Sequence, residues 1–100
     1  MDYSLPPAII EQAKLSWYAS GRYANGTPYK GDRMTAACWN EYAKGTKFKI
    51  TYKGKSIMVV CDDRGNFKKL GRFLDLSKLA FSKLADPRLG IIRGAKVEVL

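Results

Sequence analysis

The sequence predicts a small, mainly β domain in which about six short strands close into a barrel, with one short helix beside them. Three observations predict it. Apolar residues recur with a period of two in several short segments, separated by Gly, Pro and Asn-Gly signals. One stretch alone carries helical spacing. The chain has 100 residues, of which 46% are hydrophobic and 12% aromatic, enough for one core and too few for two. Closure suits such a chain because it leaves no strand edge unpaired.

Residues 1–12 read as a lead-in, with Ser4-Leu5-Pro6-Pro7 as a turn or cap signal and one helical turn over 8–12. Residues 13–100 form the barrel domain. The first strand is 14–18. A loop rich in glycine and tyrosine follows over 20–33, with Asn25-Gly26 and Lys30-Gly31 inside it. A loop of that length in a compact domain usually carries function. Residues 34–38 form a short apolar strand. Phe48, Ile50 and Tyr52 alternate with Lys47, Lys49 and Thr51, the pattern of a half-buried strand. Lys53-Gly54 turns the chain into the nearly continuous apolar run 56–61, which makes a hairpin. A charged loop spans 62–71, and 73–76 returns to the core. Ser77 caps a helix through 85, which Asp86-Pro87 ends. Residues 96–100 alternate again and close the sheet.

The composition excludes much chemistry. The net charge is +9, and there is no histidine. The charge predicts attraction to polyanions. Nucleic acid is disfavoured, because neither a recognition helix nor an aromatic sheet motif is present. Without histidine there is no Ser–His or Cys–His dyad, and two cysteines cannot close a structural zinc site. No metal or cofactor is expected. Catalysis therefore rests on carboxylates, helped by Tyr, Lys, Arg, Ser or Thr. No apolar run approaches a membrane span. Met1-Asp2-Tyr3-Ser4 lacks the basic and hydrophobic regions of a signal peptide.

An ordered set of short motifs adds to this reading: Ser16-Trp17-Tyr18, Asn25-Gly26, Met34-Thr35-Ala36-Ala37, Gly45-Thr46, Asp63-Arg64-Gly65, Gly71-Arg72-Phe73-Leu74-Asp75-Leu76-Ser77 and Val97-Glu98-Val99. Over residues 14–100 the order and spacing resemble the rare lipoprotein A family, whose barrel is shared with expansins and barwin-like proteins. The resemblance implies a six-stranded double-psi β-barrel with a polysaccharide groove across one face. It also implies binding and remodelling of bacterial cell-wall glycan (peptidoglycan), with some members acting as lytic transglycosylases. The expected location is extracytoplasmic: cell envelope, secreted, or on a phage particle. The expected state is a monomer. Two alternatives stand beside this: a non-catalytic, expansin-like module that binds or loosens polysaccharide, and a protein-binding barrel.

The same resemblance assigns roles to residues. The family's functional aspartate falls on Asp63, the candidate acid/base, and its histidine position is occupied by Cys38. The competing reading of Asp63 is a turn residue that bonds its own loop. Asp75, set among large apolar residues, is the second candidate acid, or a carboxylate accepting backbone N–H groups. Asp62 should point away from Asp63 and read as a solvated charge. Thr35, Tyr23, Tyr29 and Arg64 are candidate substrate contacts. Arg64 is alternatively a clamp on a loop carboxylate, and Trp17 belongs to the core. With Cys38 in the position that approaches Asp63, the thiols of Cys38 and Cys61 become neighbours. A disulfide is expected in an exported small domain, and two buried free thiols in a reducing one.

Overall fold

The computed structural model describes residues 8–18, 32–65 and 67–100. The described residues form strands β1 (Ile9–Tyr18), β2 (Thr35–Cys38), β3 (Lys47–Tyr52), β4 (Lys55–Arg64), β5 (Leu74–Ser77) and β6 (Ile91–Val99), with one helix, α1 (Lys78–Leu84). The strands close into a barrel in the order β1-β5-β2-β4-β3-β6. β1 and β5 run parallel, as do β2 and β4, and the other four pairs are antiparallel. The six-stranded barrel with one short helix is the architecture the sequence predicts.

The hairpin of β3 and β4 follows directly from its residues. Phe48 and Ile50 are fully buried, while Lys47 and Lys49 are exposed. Tyr52 pairs with Lys55, which leaves a two-residue turn. Its residues Lys53 (φ 47°) and Gly54 (φ 80°) both have positive φ, as a type I′ turn demands. Leu15, Phe48, Val59, Leu76 and Val97 from the strands and Phe81 from α1 are buried in one core. Each such side chain contributes about 1.5–3 kcal/mol by leaving water. Tyr42, Phe48 and Phe73 meet edge to face with centroids 5.4–6.0 Å apart. The Ser77 hydroxyl accepts the Ala80 amide and so caps α1, whose Ala80, Phe81 and Leu84 are buried. Trp17 packs on this core and donates its indole N–H to the Pro87 carbonyl at 2.8 Å.

Three segments differ from expectation. Residues 9–12 are strand, not a helical turn: Ile9 and Ile10 pair with Glu98 and Val97. The boundary read at 12/13 therefore falls inside β1. β6 begins at Ile91, well before the expected 96. Both strands were hard to see because their ladder is broken by register shifts around Gln12 (φ 56°), beside Gly94 (φ 81°). β4 runs on through Arg64, so the expected loop 62–71 loses its first three residues to the sheet. No described helix is long and apolar enough to cross a membrane.

Candidate active site on the outer face of the barrel

The register places four residues in one row across four strands. Ser16 on β1 pairs with Asp75 on β5, Asp75 with Ala37 on β2, and Ala37 with Asp63 on β4. Residues in register on adjacent strands share a face. Ala36 and Cys38 enter the core cluster and Ala37 does not, so the row faces away from the core, with Ala37 and Ser16 covered and the two aspartates half-buried. Asp63 and Asp75 thus flank a small alanine, two strand spacings or roughly 10 Å apart along the sheet.

Each carboxylate has a distinct setting. The Ser16 hydroxyl, buried, donates to Asp75 Oδ1 at 2.9 Å. Among the described residues its donor is a side-chain hydroxyl from a strand distant in sequence, not the backbone N–H groups of the alternative reading. Burial pushes the Asp75 carboxyl above the usual carboxylate range; the Ser16 bond and the Arg72 charge oppose this, and Asp63 adds a small rise. Asp63 accepts the Arg64 amide at 2.8 Å and the Tyr18 hydroxyl at 3.4 Å. The first of these is the local turn-type bond that competed with a catalytic role. The second brings an aromatic hydroxyl from β1 to the same carboxylate. Ser16 and Tyr18 were not singled out as site residues by the sequence. Their two-residue spacing on one strand was the available signal, since it puts both on one face.

Asp62 is not the solvated charge expected. The β2–β4 ladder passes from Ala36↔Cys61 to Ala37↔Asp63 and skips Asp62. That bulge sets two β4 residues against one on β2 and breaks the alternation that had sent Asp62 to the opposite face. Asp62 is half-buried, and its Oδ1 is shielded with no hydrogen-bond partner among the described residues. Burial, then the charge of Asp63, raise its carboxyl above the usual range, against the charges of Arg33 and Lys44.

The remaining candidates are placed as follows. Thr35 pairs with Val60, and its Oγ1 is likewise shielded and without a partner among the described residues. Tyr23 and Tyr29 lie outside the described residues. Arg64 clamps main-chain carbonyls and not a loop carboxylate: Nη1 donates to Trp39 O and Tyr42 O, each at 2.6 Å. The same nitrogen lies 3.1 Å from Cys38 Sγ. Cys38 and Cys61 form a disulfide between β2 and β4, with Cα atoms 5.7 Å apart. The position that resembles the family's histidine is therefore oxidised, buried and turned into the core. No cluster fit to hold a metal occurs among the described residues.

A family model described as lytic transglycolase matches residues 10–96. The curated uncharacterized protein ssl3177 of Synechocystis sp. (strain ATCC 27184 / PCC 6803 / Kazusa) is 36% identical over 75 residues, spanning 73% of this chain and 77% of that protein. Among solved structures, Streptomyces papain inhibitor superposes with a TM-score of 0.74 at 22% identity, over 99% of each chain. At that identity the likeness is one of fold. The double-psi barrel joins the two proteins.

Proposed function

This chain belongs to the lytic transglycolase family of double-psi β-barrels, and from that premise we propose that it binds bacterial cell-wall glycan across the carboxylate row and cleaves it with Asp63 as acid and base. The observation that carries the reading is the row itself: Asp75 and Asp63 on one outward face, with Tyr18 bonded to Asp63 and Ser16 to Asp75. Protonated Asp63 gives its proton to the glycosidic oxygen as the bond from the anomeric carbon breaks. The resulting carboxylate then takes the proton of the muramic acid C6 hydroxyl, whose oxygen closes on the anomeric carbon. No water is consumed, and the product ends in an anhydro ring. Thr35 and the tyrosines at 23 and 29 are the further sugar contacts, with aromatic faces stacking on rings. The disulfide belongs with an extracytoplasmic location.

The test is mass spectrometry of purified peptidoglycan after incubation with the wild type and with Asp63→Asn. Anhydro-muramic ends are expected from the wild type and none from the variant, with fold and wall binding retained. New reducing ends would make the protein a hydrolase. No new ends from the wild type would sink the enzymatic reading and leave an expansin-like binder, the case favoured by the disulfide at the histidine position. A second reading, a protein-binding barrel, draws on the likeness to the papain inhibitor along the whole chain. Inhibition of papain by the purified domain would support it.

A further inference from the structure

The carboxylate row has an opposite in both place and charge. In the closed order β1-β5-β2-β4-β3-β6, β3 stands three places from β5 in either direction, so their outer faces point away from each other. The outer face of β3 carries Lys47 and Lys49, both exposed. Cross-strand neighbours extend it. Thr51 pairs with Lys96 on β6, and Lys49 pairs with Met58 on β4, which is 50% exposed. Lys55 pairs with Tyr52, on the parity of Phe48 and Ile50, and Lys53 lies 5.4 Å from the Tyr52 ring, so the strip ends before the hairpin turn. Against the lysines of the strip stands one acid, Glu98, opposite Lys49. None of Lys47, Lys49 or Lys96 is in an ion pair among the described residues.

The geometry points to a second binding surface here, on the face of β4, β3 and β6, for a phosphodiester polymer of the cell wall. Unpaired lysines on one flat strand face hold a local positive potential that screening has not already cancelled. Lysine is a compact point charge suited to phosphate, with no need for the planar fork that favours arginine at carboxylates. Lys47 and Lys49 are two residues apart, so their stems rise roughly 7 Å apart along the strand. That is comparable to the separation of successive phosphates joined by a three-carbon polyol. The carboxylate row repels such a polymer, so it docks on the back and leaves the front free. The disulfide argues for an oxidising compartment, where nucleic acid is scarce and wall phosphate polymers are abundant. This surface is separate from the glycan-cleaving site, and its binding stands whether or not cleavage occurs.

The probe is soluble poly(glycerol phosphate), with binding measured by calorimetry over a series of salt concentrations. Three proteins are compared: the wild type, Lys47→Gln/Lys49→Gln/Lys96→Gln, and the charge-matched control Lys69→Gln/Lys78→Gln/Lys83→Gln. All six positions lie on the surface or in solvent-facing stems, and melting curves verify the fold of each. The face variant is expected to lose about tenfold or more in affinity at low salt, and its salt slope to fall by about two units, as when three phosphate contacts are removed. The control should stay within about twofold of the wild type, since diffuse charge acts weakly at salt-screened distances. Equal losses in both variants, or no binding by the wild type, overturn the surface. Tighter binding of single-stranded DNA with the same number of phosphates overturns the wall-polymer assignment.

Discussion

Asp75 makes a prediction about pH that a solvated aspartate would not. Its folded carboxyl titrates above the ordinary aspartate value of about 3.9, and burial is the main cause. Between that ordinary value and the raised one, the folded chain binds more protons than the unfolded chain. Stability therefore falls as pH rises through this window and levels off above it. Asp62 adds a slope of the same sign, from burial and from its neighbour Asp63. Asp75→Asn keeps an acceptor for Ser16 and removes one of the two titrations. Its melting temperature should vary less with pH across the window than that of the wild type, and should match or exceed it at neutral pH. Parallel curves would mean that Asp75 ionises normally. Asp63 and Asp75 were legible in the sequence because each sits in a short motif with its own pattern. Asp62 was not, because its placement depends on one skipped register position that alternation cannot reveal. Ser16 was quoted within a motif, but its bond spans two strands that meet only in the folded barrel.

At the scale of the element, the Asp63-Arg64-Gly65 segment, where β4 ends, shows why glycine occupies its last position. A Cβ on Gly65 would lie 2.7 Å from Cδ1 and 2.8 Å from Cε1 of Phe67, whose ring is buried. The ring packs against the bare backbone just after the catalytic candidate, and so fixes the path by which the chain leaves β4. Gly65→Ala must displace that ring, a cost of about 1–3 kcal/mol in a packed site. Denaturant midpoints should fall accordingly, and wall-glycan binding should weaken as Asp63 shifts with the segment. A variant as stable as the wild type would mean the ring relocates freely. The hairpin of β3 and β4 could be read from sequence because its pairing is local and its turn residues are diagnostic. The start of β1 could not, since Gln12 interrupts the alternation where the strand bulges. The helix was legible through its cap, its apolar spacing and the proline that follows it.

Across the whole molecule, the disulfide is the covalent tie between β4, which carries Asp63, and its neighbour β2. Cys38 and Cys61 are separated by 23 residues, and a closed loop of that order restricts the unfolded chain by about 3 kcal/mol in the entropic account. For a chain of this size that is a large share of the total. Cys38→Ser/Cys61→Ser should lose about that much stability, and reductant should bring the wild type down towards the variant. Arg64 adds to the tie by bonding the Trp39 and Tyr42 carbonyls beside the sulfurs. Loss of the bond should therefore loosen the loop after β2 as well. Two alkylated thiols in unreduced, unfolded protein, with no effect of reductant on melting, would refute the tie.

The strand order also governs how the chain reaches this structure. Of the six neighbouring pairs, β3 with β4 alone joins strands consecutive in sequence. Every other pair must close a long stretch of chain before its contacts form, which places the domain among slow folders. The hairpin is then the natural nucleus, and the pairing of β1 with β6 is the step that shuts the ring. Ser16, Ala37, Asp63 and Asp75 arrive from four separate stretches of the chain. The carboxylate row consequently has no precursor in a half-folded chain, and it comes into being at the moment the barrel closes.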